Sequence, residues 1–316
     1  MPTLLLIVLG GAVVLHVMVR WRARRNEARA EAARPPEGQF LEVEGVKVHA
    51  VVSGAGPDLV LIHGTGGNWR DMTLSLAPLL ADRYRVIAID RPGLGYTGKP
   101  DSSGPSIAEQ ARIMAEAARQ LGAERPLVLG HSYGGTVALA WAVTLPDRLS
   151  AVIPVAAPSI PWDTGLSALH RVSSRPLGKA LVVPMITAFV TPRAIKRTVD
   201  AIFAPQPAPE GYAEAVGARL ALRRAALKAT GQQRAGLLDE VRAMEPRYGE
   251  IAVPVELLHG TADEVVAHDH HSDQLAPRIS GANYVTLPGI GHMVQHVAPE
   301  AVVAAVDRAA ARAGLR

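Results

Sequence analysis

The 316-residue chain contains no cysteine. Disulfides, thiol nucleophiles and cysteine-ligated metal sites are therefore excluded, while the compartment stays open. Net charge is also small: 33 Lys and Arg stand against 29 Asp and Glu, a formal +4. That excess sits in one stretch, where Arg20, Arg22, Arg24, Arg25, Arg29 and Arg34 outweigh Glu27 and Glu31. The remaining body is neutral, so nothing in the charge points to nucleic acid as a partner. No repeat of solenoid period is visible. The one histidine-rich cluster, His268-Asp269-His270-His271, has no second group of ligands to accompany it and reads as a solvated helix start, so no metal is expected.

What is present begins with Gly130-His131-Ser132-Tyr133-Gly134-Gly135. Pro126–Leu129 reads as a short buried strand and Thr136–Ala142 as a helix ending near Pro146, which puts Ser132 on the corner between them. Gly130 and Gly134 flank it at i−2 and i+2, where a side chain would meet the neighbouring strand or helix. A serine hydroxyl is a weak nucleophile unless a base takes its proton, and the base needs an orienting acid. Val253–Gly260 reads as a second buried strand running into Thr261-Ala262-Asp263, and Tyr284–Pro288 as another leading to Gly289-Ile290-Gly291-His292. Three strand ends thus offer a hydroxyl, a carboxylate and an imidazole. Glu264 competes with Asp263 for the acid, and His296 with His292 for the base.

Two further loops complete the pattern. His63-Gly64-Thr65-Gly66-Gly67-Asn68-Trp69 follows the strand Leu59–Ile62, and Asp90-Arg91-Pro92-Gly93-Leu94-Gly95 follows Arg85–Ile89. With the Gly-x-Ser-x-Gly corner and the order Ser, Asp, His, residues 40–312 resemble the α/β-hydrolases, in particular the lid-bearing esterases, carbon–carbon bond hydrolases and cofactor-free haloperoxidases. The resemblance implies an α/β fold with a mostly parallel, doubly wound sheet and a helical lid. It implies a catalytic triad of Ser132, Asp263 and His292, with an oxyanion hole made by the backbone N–H groups of Thr65 and Tyr133. It implies no cofactor. Haloalkane dehalogenases and epoxide hydrolases of this fold carry aspartate at the corner, so the serine points to acyl transfer instead. His63 and His131 are expected to tie loops together.

The N-terminus carries a second signal. Thr3–Val19 is an apolar run broken only by His16, followed by Trp21 among arginines. At helical rise it spans about 26 Å, enough for a bilayer core. A signal peptide would need positive charge before the run and a small-residue cleavage site after it, and neither is present. The expectation is a transmembrane anchor over 1–20 and a basic juxtamembrane linker over 21–39, with the arginines and the catalytic body on the cytoplasmic side.

The hydrolase core is then expected over 40–157 and 248–316, opening on a hairpin of Phe40–Val43 and Val46–Val51, with the helical lid over 158–247. In the lid, Leu177–Val190 is strongly apolar, Pro192–Phe203 is amphipathic, and Tyr212–Thr230 carries Arg219, Arg223, Arg224 and Lys228, expected on a solvated face. The apolar stretch either packs on the core or, being near the anchor, meets a bilayer. The partner is accordingly a small-molecule substrate, an uncharged or lipophilic ester, with the membrane engaged through 3–19. Carbon–carbon bond hydrolysis, perhydrolysis and non-catalytic small-molecule binding are the alternatives.

Overall fold

Short apolar runs with alternating sides build the frame. In the computed structural model, which describes residues 2–100, 104–163, 165 and 167–316 (without the side chains of Pro2, Leu5 and Val8), eight strands form one sheet. They are β1 (Gln39–Val43), β2 (Val46–Ser53), β3 (Asp58–Ile62), β4 (Arg85–Ile89), β5 (Leu127–His131), β6 (Ala151–Val155), β7 (Glu256–Gly260) and β8 (Asn283–Leu287). Their order is β1-β2-β4-β3-β5-β6-β7-β8. The first two pairings are antiparallel and the rest parallel. A parallel sheet has helices on both faces, so its strands bury both sets of alternate side chains. Leu59, Leu61, Leu127 and Leu129 join the core on one face, while Val60, Ile62 and Val128 join the core on the other.

The helices follow in chain order: α1 (Pro2–Ala33), α2 (Trp69–Leu80), α3 (Ile107–Gln120), α4 (Tyr133–Thr144), α5 (Ala168–Ser174), α6 (Val183–Phe189), α7 (Pro192–Phe203), α8 (Tyr212–Ala215), α9 (Arg224–Met244), α10 (Ser272–Leu275), α11 (Val294–Val297) and α12 (Pro299–Arg312). Buried residues of α3 and α4 pack with one core, those of α2 and α12 with the other. Between β6 and β7 the described residues are helices and turns with no strand. The mostly parallel α/β architecture expected from the strand pattern is the one observed.

α1 runs unbroken through the arginine cluster. From Val19 onward one stripe, Val19, Ala23 and Ala30, is buried, with the four- and seven-residue spacing of a helix face. Val19 and Ala23 pack on Ala188 of α6. Asn26 Nδ2 donates to the carbonyls of Thr187 and Ala188 at 3.0 and 3.1 Å, and Arg22 Nε donates to Ala188 O at 2.8 Å. Arg224 grips Glu27 with two guanidinium bonds of 2.9 and 2.6 Å, and Arg223 pairs with Glu31 at 2.8 Å. These two arginines, expected on a solvated face, are instead spent on α1. Upstream of Val19 every described side chain is exposed. Among the described residues no single helix is long and apolar enough to cross a membrane; one bent pair, Gly178–Phe189 with Pro192–Phe203, passes by length and composition alone.

At the edge of the sheet remote from the chain's start, a buried carboxylate fastens α12 to β7. Glu256, fully buried, accepts from Arg308 Nε at 2.8 Å, Arg312 Nη1 at 2.8 Å and Asn283 Nδ2 at 2.7 Å. Glu256→Ala should therefore lower stability by about 2 kcal/mol, less than a wholly buried pair because both arginines reach water. A urea midpoint equal to that of the parent would contradict this role.

Candidate active site

Ser132 sits where β5 turns into α4, and its backbone is strained: φ is 53° and ψ is −125°. A non-glycine residue held there costs about 1–3 kcal/mol unless its surroundings enforce it. They do so by close approach. A Cβ on Gly130 would lie 2.1 Å from Gly134 O, and one on Gly134 would lie 2.3 Å from Ile62 O. Both glycines keep negative φ, so they serve packing, and the strain itself falls on the serine. The Ser132 N–H donates to Val155 O at 2.8 Å, which pins the corner to the end of β6.

The loops beside it bring the acid and the base together. Asp263, at the turn after β7, accepts from His292 Nδ1 through Oδ2 at 2.7 Å. Its Oδ1 accepts from the N–H groups of Val265 and Val266, each at 2.8 Å. Burial alone would raise the Asp263 pKa, but the hydrogen bonds from His259 and His292 hold it well below the ordinary carboxylate value. The carboxylate is thus charged and fixed, and it leaves His292 Nε2 as the free ring nitrogen. Glu264, the rival acid, is exposed. His296, the rival base, is taken up elsewhere: its Nε2 meets Asp71 Oδ1 at 3.0 Å and its Nδ1 meets Ser75 Oγ at 2.7 Å. Tyr212 OH donates to the same Asp71 oxygen at 2.5 Å, which ties the helical insertion to α2 and α11.

His131 links the serine corner to the base. Its Nε2 donates to His292 O at 2.9 Å, and its ring centroid lies 4.8 Å from that of His292. Its Nδ1 faces the Gln295 amide at 3.3 Å. Among the described residues the Ser132 hydroxyl has no hydrogen-bond partner, a slack common before substrate tightens such a site. The loop after β3 lies against the serine: a Cβ on Gly64 would be 3.2 Å from that of Ser132. Thr65 follows Gly64, and Tyr133 opens α4 with one of the unpaired N–H groups of a helix N-terminus. The Tyr133 ring is buried beneath the Arg91 guanidinium at 4.0 Å. Arg91 is bonded to Gln233, and Gln233 Nε2 donates to Pro92 O at 2.8 Å.

Two residues that sequence reasoning passed over take part. His259 Nε2 faces both Asp263 Oδ2 at 3.1 Å and Val266 O at 2.8 Å, two acceptors, so this nitrogen carries the proton. Ser272 Oγ, 2.7 Å from Nδ1, is then the donor to the other nitrogen. The four-residue separation of His259 and Asp263 at the end of an apolar strand was the available signal. Arg91, over the Tyr133 ring, offered none.

The described residues hold no cluster of His, Asp and Glu suited to a metal ion. A cavity of about 740 Å³ is lined by α1, α7 and α8, through residues such as Ala33, Ile195 and Tyr212; Ser132, Asp263 and His292 are not among its lining residues.

A model of the alpha/beta hydrolase fold matches residues 57–299. The chain belongs to that family. A protein of Mycobacterium bovis described only as uncharacterized is 30% identical over 308 residues, 90% of this chain and 84% of the relative. Haloalkane dehalogenase 2 of Mycobacterium tuberculosis is 27% identical over 282 residues, 86% of this chain and 94% of the relative. Among solved structures, a bacterial membrane phospholipase A superposes with a TM-score of 0.66 at 22% identity, covering 97% of each chain. That level of likeness carries the fold.

Burial sets the acid sensitivity of this region. It pushes His63 down to about 4, with the Arg91 charge adding to the effect, and His131 down to about 3, with His292 adding. Both stay neutral in the fold, so below 6.5 the unfolded chain binds protons that the folded chain does not. Each histidine then removes up to about 1.4 kcal/mol of stability per pH unit. Urea unfolding at pH 7.0, 5.5 and 4.5 should show a monotonic fall, and a flat or rising profile would contradict neutral burial.

Proposed function

We propose that the chain is a membrane-anchored serine hydrolase acting on a carboxylic ester of an uncharged or lipophilic substrate. The observation that carries this reading is Ser132 on its strained corner, next in sequence to a histidine that bonds the His292 carbonyl, with His292 itself bonded to a charged, buried Asp263. In the reaction, His292 Nε2 takes the proton from Ser132 Oγ as that oxygen attacks the ester carbonyl. Negative charge on the former carbonyl oxygen is held by the N–H groups of Thr65 and Tyr133; one such donor is worth about 10²- to 10³-fold in turnover. The tetrahedral intermediate collapses, His292 returns the proton to the leaving alcohol, and an acyl-serine remains. Water, deprotonated by His292, then releases the acid and restores the serine. Asp263 stays ionised and stabilises the imidazolium.

The similarity to a haloalkane dehalogenase does not extend to the reacting atom, because position 132 is serine and an alkyl-enzyme ester needs a carboxylate there. The anchor reading rests on Thr3–Val19, whose described apolar side chains upstream of Val19, including Leu4, Leu6 and Val13, are exposed, and on the arginines that follow. Those arginines favour the cytoplasmic side for the body. The phospholipase named among the solved structures is itself a membrane protein, and that agrees with an ester presented by a membrane.

An ester panel of graded acyl length tests the assignment. The parent should hydrolyse at least one class, Ser132→Ala should lose about 10⁴-fold or more in turnover, and Asp263→Asn about 10⁴-fold. Both variants should keep the parent's circular dichroism. Cleavage of a vinylogous diketone with every ester untouched would replace ester chemistry by carbon–carbon bond hydrolysis, and a fully active Ser132→Ala would remove the nucleophile.

A further inference from the structure

α6 and the π-helical turn before it, Gly178–Val182, have two apolar sides and only one of them is used. Val183, Pro184, Thr187 and Ala188 face inward and are buried. On the outward side Leu177, Leu181, Met185 and Phe189 recur every four residues, and they are 71%, 49%, 45% and 48% exposed. Four large apolar side chains in one row are more than scattered surface residues, and a patch of this kind marks a contact.

Its position says which contact. α1 leaves the body at Val19, and the residues it leaves beside are Ala188 and Phe189: Val19 packs on Ala188, and the Arg22 guanidinium lies 5.0 Å over the Phe189 ring. The apolar run of α1 ends at Val19, so a bilayer holding that run has its surface at this level. Trp21, 61% exposed, stands there with Arg20, Arg24 and Arg25 also exposed. Tryptophan and arginine are the side chains that sit at a headgroup boundary, and the arginines match anionic lipid. On the insertion, Arg175 and Lys179 flank the apolar row. The bent pair formed with α7 does not read as a span, because Val199 and Phe203 of α7 are buried against Tyr212 and Met293.

We infer that the row Leu177, Leu181, Met185 and Phe189 lies in the acyl–headgroup boundary of the bilayer that holds α1, making the insertion a second membrane contact, and that the ester is a bilayer-embedded lipid entering beneath it. The inference rests on the anchor and ester readings above. A short path joins this face to the reacting serine. Thr187 Oγ1, on the buried side of α6, donates to Leu222 O at 2.7 Å. One residue earlier, Ala221 Cβ would lie 3.9 Å from a Cβ on Gly66, in the loop next to Thr65. A side chain pressed into lipid is thus two packing layers from the oxyanion loop. Interfacial helices of this kind sink about 5–10 Å below the headgroups, which fits a row one side chain deep.

The absence of cysteine makes the test direct. Full-length chain carrying Leu181→Cys, Val14→Cys or Leu315→Cys is labelled with an environment-sensitive fluorophore and reconstituted into phosphatidylcholine–phosphatidylglycerol vesicles containing nitroxide lipids. The Leu181 and Val14 labels should shift to the blue and be quenched by the nitroxide lipids, with the Leu315 label unchanged. A water-exposed Leu181 label beside a quenched Val14 label would overturn the lid contact and leave the anchor standing. Water-exposed labels at both, with chain that fails to float with vesicles, would overturn the anchor and this inference together. A Leu181 label shielded from water, untouched by nitroxide lipid and self-quenching between copies would assign the face to a second copy of the chain. The triple variant Leu177→Asp, Leu181→Asp, Met185→Asp should also lose roughly tenfold in turnover of a vesicle-embedded ester, with hydrolysis of a short soluble ester unchanged. Equal loss on both substrates would argue against bilayer delivery.

Discussion

Ser132 holds a backbone conformation that an isolated chain would leave, and most of the architecture around it can be read as the means of keeping it there. β5 ends and α4 begins with no intervening loop, so the peptide must reverse within one residue. The reversal is possible because Gly130 and Gly134 let the strand end, the helix start and the neighbouring β3 approach closer than any Cβ would allow. It is held because Val155 O takes the serine N–H. The outcome is a hydroxyl raised on the C-terminal edge of a parallel sheet, with unpaired N–H groups of a helix N-terminus beside it. In the proposed reaction those N–H groups carry partial positive charge where an ester oxygen would become negative.

The same edge supplies the remaining groups by a different means. β7 and β8 end in turns that project Asp263 and His292 toward each other, and the hydrogen bonds on Asp263 leave it little freedom. Two backbone N–H groups, His259 and His292 all converge on it. A second histidine–aspartate pair, His296 with Asp71, stands one turn further along and joins Tyr212 of the insertion. The two pairs share a residue type but not a setting: Ser75, the hydroxyl next to His296, lies inside α2, where helical geometry gives no strained corner and no free backbone donors. What separates the two pairs is the corner and not the imidazole.

Much of this was readable from sequence because buried strands in a parallel sheet are continuous apolar runs and their ends carry the polar groups. Leu59–Ile62, Pro126–Leu129 and Val253–Gly260 announced themselves in that way, and with the last two the positions of Ser132 and Asp263, while His292 follows the half-buried edge strand β8. The role of His259 was hidden because it depends on the turn after Gly260 folding Asp263 back over its own strand. The docking of α1 was hidden for another reason. Its buried stripe, Val19, Ala23 and Ala30, is small and sparse among six arginines, so charge dominated the reading of that segment. The pairs Arg223–Glu31 and Arg224–Glu27 join residues nearly two hundred positions apart, and no local pattern foretells such partners. Proximity of α1 to α6, on which the proposed role of the exposed apolar row depends, exists only in the folded chain.

The central claim is that Ser132 is an activated nucleophile, and covalent capture tests it most directly. Full-length protein is treated with a fluorophosphonate at neutral pH and the modified peptide is identified by mass spectrometry. The account predicts a single adduct on Ser132, strongly slowed by Asp263→Asn and abolished on unfolding, since the strained corner and the fixed His292 both belong to the fold. Folded parent protein that takes no label at Ser132, or takes it equally well when denatured, would contradict the account.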